Sequence, residues 1–237
     1  MRCGRSAEAD SVSTAGREAG RPLEARVEEL LSALFEKDRT RLALLVEALR
    51  EQRPRLVHLY RALLVPVAAR LGNMWRDDSA SFVDVTVASA RLQFVVNELT
   101  AHVDLDPPRA ALDRRVLLAR PRGEAHTIGL AIVEACFRSA GWEACGGAVL
   151  EADSALFSEL QSRSYSVLGL SVGSIAAAEG LAETIKAARK VSRNRAIKVC
   201  LGGAAVAGEP RLFAAMGADF LADDAMDAVV RAGQAVA

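Results

Sequence analysis

Histidine is scarce in this chain: three residues in 237, at positions 58, 102 and 126. So few imidazoles leave no room for a clustered multi-histidine metal site. The four cysteines, Cys3, Cys136, Cys145 and Cys200, show no C-x-x-C spacing. That removes a thiol-built zinc or redox motif and suits a reducing compartment. Net charge is missing as well, since 30 Lys+Arg balance 30 Asp+Glu. Residues 1–106 hold 15 basic and 16 acidic groups, and 107–237 hold 15 and 14. Neither half is a basic module of the kind that grips a phosphate backbone, so direct nucleic-acid binding is not expected. Long apolar runs are lacking too: LLVPVAARLGNMW is broken by Pro66 and Arg70, and no membrane span is expected. The opening MRCGRSAEAD has no apolar stretch of a secretory signal. These absences point to a cytoplasmic protein long enough to bury a core without disulfides. Any cofactor must be held by few side chains.

What is present divides in two. Residues 1–22 are polar and read as a mobile tail. From Leu23 the apolar residues repeat at helical spacing: Val27, Leu30, Leu31, Leu34 and Phe35, then Leu42, Leu45, Val46 and Leu49. Pro54 suits the first turn of a third helix carrying Leu59, Leu63, Val67, Leu71, Met74 and Trp75, with a kink at Pro66. Ser81 followed by Asp84 resembles a capping box opening a fourth helix with Val85, Leu92, Val95, Val96 and Leu99 on its apolar side. Residues 23–106 are therefore expected to form a four-helix bundle, and the Pro-Pro segment at 107–112 a linker.

From residue 113 the period changes. Apolar runs of strand length lie at 116–119, 144–149, 167–171, 197–201 and 220–221. Helical stretches are expected at 127–140, 153–163, 178–192, 208–216 and from 225. Alternating strand and helix predicts a Rossmann or flavodoxin-like domain over 113–237, with a five-stranded parallel sheet covered on both faces. The fold class is thus α + α/β.

In such a sheet the ligand lies at the carboxyl ends of the strands. Three segments stand there: Arg-Pro-Arg-Gly-Glu124-Ala-His126-Thr127-Ile128-Gly129, Ser171-Val172-Gly173-Ser174, and Gly202-Gly203. None is a nucleotide phosphate fingerprint. Glu124-x-His126-x-x-Gly129, Ser171-x-Gly173 and Gly202-Gly203, in this order, resemble the signature of the cobalamin-binding domain family, D-x-H-x-x-G, S-x-L and G-G. A helical bundle ending in Trp75 resembles the cap that precedes that domain, so the resemblance covers residues 25–235.

The resemblance implies that His126 binds the cobalt of cobalamin from below, in place of the cofactor's own base. Glu124 would fix its tautomer. The displaced nucleotide tail would enter a slot lined by Thr127, Ile128, Gly129, Ser171, Val172, Gly173, Ser174, Gly202 and Gly203, where Ser171 hydrogen-bonds the buried base nitrogen. Trp75 is either bundle core or, as the resemblance implies, a cover for the upper corrin face.

Methyl-carrying corrinoid proteins and the isomerases have Asp where this chain has Glu124. Glu there is similar to the light-responsive regulators of the CarH type and the antirepressors of the AerR/PpaA type. CarH-type proteins carry an amino-terminal winged-helix DNA-binding domain, which is not expected in a chain whose bundle begins almost at once. Their cap has a His directly after the Trp and a Glu at the position of Val85; here Arg76 and Val85 stand there, with Asp84 next door. Shielding of an adenosyl group therefore does not follow from the resemblance. What it implies is a transcription regulator rather than an enzyme. Such a cobalamin-binding, light- or redox-responsive antirepressor acts on a separate DNA-binding repressor of photosynthesis genes, of the PpsR/CrtJ type. A change at cobalt would alter how corrin, Trp75 and bundle pack together. The cobalamin form (hydroxo-, methyl- or adenosyl-) stays open. A corrinoid carrier of a methyltransferase system and a haem sensor, as in the related AppA domain, are the alternatives.

His58 and His102 read as helix-face residues, and Cys136 and Cys145 as buried small apolar residues. Lys186, Arg189, Lys190, Arg193, Arg195 and Lys198 read as a solvated helix face.

Overall fold

The apolar spacing of the amino-terminal half becomes helix in the computed structural model, which describes residues 22–101 and 114–237. Cys3, His102, the expected linker at 107–112 and all of the expected tail except Pro22 lie outside the described residues. Two compact units result, 22–101 in one and 114–237 in the other.

In the first unit a 3₁₀ turn, Leu23–Arg26, leads into α1 (Val27–Phe35) and α2 (Thr40–Glu51). A longer helix follows in three pieces, α3 (Leu56–Leu59), a π turn (Tyr60–Leu64) and α4 (Val65–Arg76), and α5 (Phe82–Ala101) ends the unit. Leu30 and Leu34, Leu45 and Leu49, Leu63 and Val67, and Leu92 and Val96 are buried. Each such side chain contributes about 1.5–3 kcal/mol by leaving water. Half of the expected capping box at α5 is present: Asp84 N–H donates to Ser81 Oγ at 3.1 Å, while the Asp84 carboxylate accepts from the Ser81 hydroxyl at 2.7 Å in place of its N–H. Such a cap stabilises the helix by about 1 kcal/mol.

One expectation is corrected here. Pro54 is not in the first turn of the third helix, which starts at Leu56 with Leu59 N–H bonded to Arg55 O. Arg53, at φ +42°, makes a sharp left-handed corner instead, because a residue before proline is driven out of the helical region. At Pro66 the missing N–H would strand the Ala62 carbonyl. The chain widens just before it, with Val65 N–H reaching Tyr60 O across the π turn.

The second unit contains β1 (Arg115–Arg120), α6 (Ile128–Ser139), β2 (Glu143–Glu151), α7 (Ser154–Ser162), β3 (Val167–Ser171), a 3₁₀ turn (Ile175–Ala178) and α8 (Leu181–Val191). β4 (Lys198–Gly202), α9 (Ala204–Gly208), α10 (Pro210–Ala214), β5 (Phe220–Leu221) and α11 (Ala225–Ala235) complete it. The five strands are all parallel in the order β2-β1-β3-β4-β5. Residues such as Leu117, Leu168, Leu170, Val199 and Leu201 are fully buried, as strands covered on both faces must be. The expected helix at 208–216 is the shorter α10, and an unexpected short helix, α9, precedes it; the two are separate because Pro210 cannot donate to a continuing turn and the chain breaks at Glu209. The sheet runs outward from β1 in both directions. The β1/β3 boundary is thus the switch point at which doubly wound sheets bind ligands.

The basic cluster is not a solvated face throughout. Arg189 donates to Ile197 O, Gly217 O and Asp219 Oδ2, and Arg193 to Ser162 O, so these side chains tie α8 to its neighbours. No helix among the described residues is long and apolar enough to cross a membrane.

Candidate functional site

β1 delivers the chain to the switch point, and a turn there aims one acid inward. Gly123 takes φ +77° and Glu124 N–H bonds to Pro121 O at 3.1 Å. The Glu124 side chain is 1% exposed. Its Oε1 accepts the His126 N–H at 3.0 Å and pairs with His126 Nδ1. Its Oε2 accepts the Gly173 N–H at 2.8 Å and the Ser174 N–H at 3.0 Å, with the Ser174 hydroxyl at 3.4 Å. One carboxylate thus latches the loop after β1 to the loop after β3.

Burial alone would raise the Glu124 carboxyl. The hydrogen bonds from His126 and Gly173 and the attraction of the neighbouring imidazole outweigh it and hold the group below the ordinary carboxylate range. An ionised carboxylate only accepts, so Nδ1 carries a proton, and in the neutral ring Nε2 is then the nitrogen with the lone pair. The His126 side chain is 66% exposed, so that lone pair is presented outward from a ring braced behind.

The other residues expected at this edge divide by role. A Cβ at Gly173 would lie 2.7 Å from Cβ, Cγ and Nδ1 of His126, so this glycine makes room for the imidazole itself. A Cβ at Gly203, which takes φ +106°, would lie 2.4 Å from Val172 O; its bareness serves the packing of β4 on β3. Gly129 opens α6 with nothing within 4 Å of a Cβ, and Gly202 has only ordinary contact with Ala222. Ser171 pairs with Gly202 in the β3/β4 register and is half-buried. Thr127 and Ile128 are half-buried at the start of α6. Val172 is fully buried, with its N–H on Gly202 O and its carbonyl on Ala205 N–H. It belongs to the core and offers no side chain to a ligand.

Trp75 lies in the helical unit at the end of α4 and is 55% exposed, so packing within the bundle does not account for it. His58 is exposed, 4.0 Å from Glu24. Cys136 is buried as expected, whereas Cys145 is only half-buried because β2 is the edge strand. Burial pushes the Cys200 thiol up to about 12. Sequence reasoning missed the Gly173 and Ser174 N–H groups as partners of Glu124, since a backbone donor leaves no mark in residue type.

Among the described residues no group of three or more His, Cys, Asp or Glu could hold a metal ion. A metal held by His126 would therefore have to bring its other ligands with it, as one in a macrocycle does. Residues 114–230 match the family model described as the B12 binding domain. An uncharacterized 20.5 kDa protein from the bchF-crtJ intergenic region of Rhodobacter capsulatus is 32% identical over 162 residues, spanning 68% of this chain and 83% of that protein. The chain belongs to the B12-binding domain family. The Methanosarcina barkeri monomethylamine corrinoid protein shares its fold, with a TM-score of 0.68 at 16% identity over 92% of this chain and 99% of that one. A cobalamin-binding protein from Desulfitobacterium hafniense superposes more loosely, with a TM-score of 0.47 at 19% identity over 89% of this chain and 98% of that one. The residues present fit a corrin cobalt: Nε2 is free, its ring is braced by a buried carboxylate, and Gly173 leaves the ring its place.

Proposed function

We propose that this protein is a cobalamin-binding regulator of transcription, not an enzyme, and that it acts through a partner DNA-binding repressor of the PpsR/CrtJ type. The observation that carries the cofactor half is the pairing of an almost wholly buried Glu124 with an outward-facing His126. His126 Nε2 would hold the cobalt, and Glu124 would keep the proton on Nδ1 so that Nε2 is the donor nitrogen. Gly129, with nothing within 4 Å of a Cβ, would leave room for the nucleotide tail, and the Ser171 hydroxyl would be available to its base nitrogen. When bound, a corrin cobalt supplies an upper-ligand bond that light or reduction can change.

The regulatory half is supported by the bchF-crtJ location of the 32% identical relative and by the glutamate at position 124. The exposed ring of Trp75 is not taken up by the core of its own helical unit. A switch requires two states that differ in affinity for the partner. Methyl carriage is supported by a fold likeness alone.

The deciding experiment mixes the purified protein with hydroxocobalamin and removes free cofactor by desalting. A corrin spectrum survives in the unchanged protein and is lost or greatly weakened in His126→Ala. Equal retention and an unchanged spectrum in the variant would overturn the ligand assignment. A Soret band in the protein as isolated would favour haem, and methyl transfer from a donor enzyme would favour the carrier.

A further inference from the structure

Arg120 ends β1, and its side chain reaches across a defect in the sheet. Leu118 pairs with Gly146 in β2, but Arg120 pairs with Glu151, so Gly147–Leu150 stand opposite Ala119 alone. Gly146 and Gly147 take φ +80° and +79°, and Val149 is pushed outward, 88% exposed. A Cβ on Gly146 would lie 2.3 Å from Leu118 O, so the bulge depends on that glycine. The Arg120 guanidinium fills the gap. Its Nε donates to Ala148 O at 3.1 Å, Nη1 pairs with Glu151 Oε1 at 2.6 Å, and Nη1 also donates to the Glu124 main-chain carbonyl.

Glu124 is consequently held from two sides. Its carboxylate is fixed from β3 by the Gly173 and Ser174 N–H groups, and its peptide from β2 by Arg120. The loop's own support is slight: one turn bond, Glu124 N–H to Pro121 O, beside the conformationally permissive Gly123. A guanidinium on the Glu124 carbonyl removes the rotation of that peptide which would swing the carboxylate away from the imidazole.

We propose that Arg120 is a positioning residue for His126. By fastening the Glu124 peptide to the β2 bulge it sets where the carboxylate stands, and hence the tautomer and aim of the ring. The inference rests on the reading of His126 as the cobalt's protein ligand. It explains why an arginine stands here: a planar fork holds a bulge carbonyl, a loop carbonyl and a carboxylate together, whereas a lysine is a point charge that cannot reproduce that geometry.

The test uses the full chain, uniformly ¹⁵N-labelled, loaded with natural-abundance hydroxocobalamin and reduced to the cobalt(II) state for electron paramagnetic resonance. An axial ¹⁵N imidazole from the protein splits each cobalt line in two, and the cofactor's own ¹⁴N base splits it in three. The unchanged protein gives the two-line pattern. Arg120→Ala raises the cobalamin Kd roughly tenfold, as loss of an outer support of a metal ligand does, and brings in the three-line pattern. Arg120→Lys keeps the charge beside Glu151 and the melting midpoint of the cofactor-free protein, yet shows the same spectral change; it decides the matter if Arg120→Ala does not fold. A lowered melting midpoint with Kd and two-line pattern intact in both variants would make Arg120 a purely structural clamp and overturn the proposal. Three lines from the unchanged protein, or two from His126→Ala, would instead overturn the reading of His126 on which it rests.

Discussion

At the carboxyl end of the sheet the Glu124 carboxylate, 1% exposed, accepts three main-chain N–H groups and faces an imidazole. At the amino end the Asp219 carboxylate, 26% exposed, accepts the Val199 N–H at 2.7 Å and faces Arg189 at 2.6 Å and Lys198 at 3.8 Å. Burial works against the charge of both, and in both the hydrogen bonds and a neighbouring basic side chain outweigh it and hold the group below the ordinary carboxylate range. The difference lies in the partner. Arg189 is a permanent cation whose donors are turned inward, onto Ile197 O, Gly217 O and Asp219, so that end is a fastening. His126 gives Glu124 one nitrogen and keeps the other for something outside. A fastening uses up its donors and acceptors; a site leaves one over.

That contrast can be broken or sharpened by substitution. The largest effect is expected from Glu124→Gln, which keeps the shape but sets an amide against N–H donors. Cobalamin affinity, read by absorbance titration, should fall by roughly 10–100-fold, and unchanged affinity would dissolve the distinction between the two ends. Gly173→Ala comes next. Its methyl must displace the imidazole, and a fall of about tenfold is expected from overpacking of this kind, with the melting midpoint of the cofactor-free protein nearly unaltered. If stability falls and affinity does not, Gly173 serves packing rather than the ring.

Asp219→Asn should leave affinity untouched and lower stability by about 0.5–1.5 kcal/mol in a denaturant titration, the net worth of a typical hydrogen bond. Its pH dependence has a defined sign. A carboxyl whose folded pKa is lowered contributes stability that is complete above its unfolded value and is lost as pH falls through the folded one. The unchanged protein should therefore lose in acid a portion of stability that Asp219→Asn never had. Parallel acid profiles of the two proteins would remove Asp219 as the fastening.

Much of this was legible in residue order. The helical spacing of Leu30, Leu34, Leu45 and Leu49 predicted the bundle, and Ser81 with Asp84 predicted the start of α5. The change to short apolar runs after residue 113 predicted five strands, and all five are present in parallel. Glu124 and His126 were legible as neighbours because two residues on one turn must lie together. Harder to see were the break at Pro210, the π turn before Pro66 and the corner at Arg53. In each a proline's missing N–H or steric bulk is met by an adjustment in backbone that no side chain announces. Arg189 and Arg193 read as a solvated face because helical period says which way a side chain leaves the axis. It does not say which carbonyls it can reach.

The sequence alone therefore determined the kinds of element and their order, and the likeness of its motifs to a known family pointed to the imidazole of His126. Those properties are local: they depend on spacing along a few turns and on which residue types exist at all. The tertiary structure decided which nitrogen of that imidazole is free, because the answer depends on where the Glu124 carboxylate points. Its direction is set by N–H groups nearly fifty positions away and by a guanidinium anchored in a neighbouring strand. Parallel strands bring such groups together only when the sheet closes, so no local pattern could carry that information. The same closure divides the glycines: Gly173 makes way for a ring, and Gly203 for the protein's own backbone.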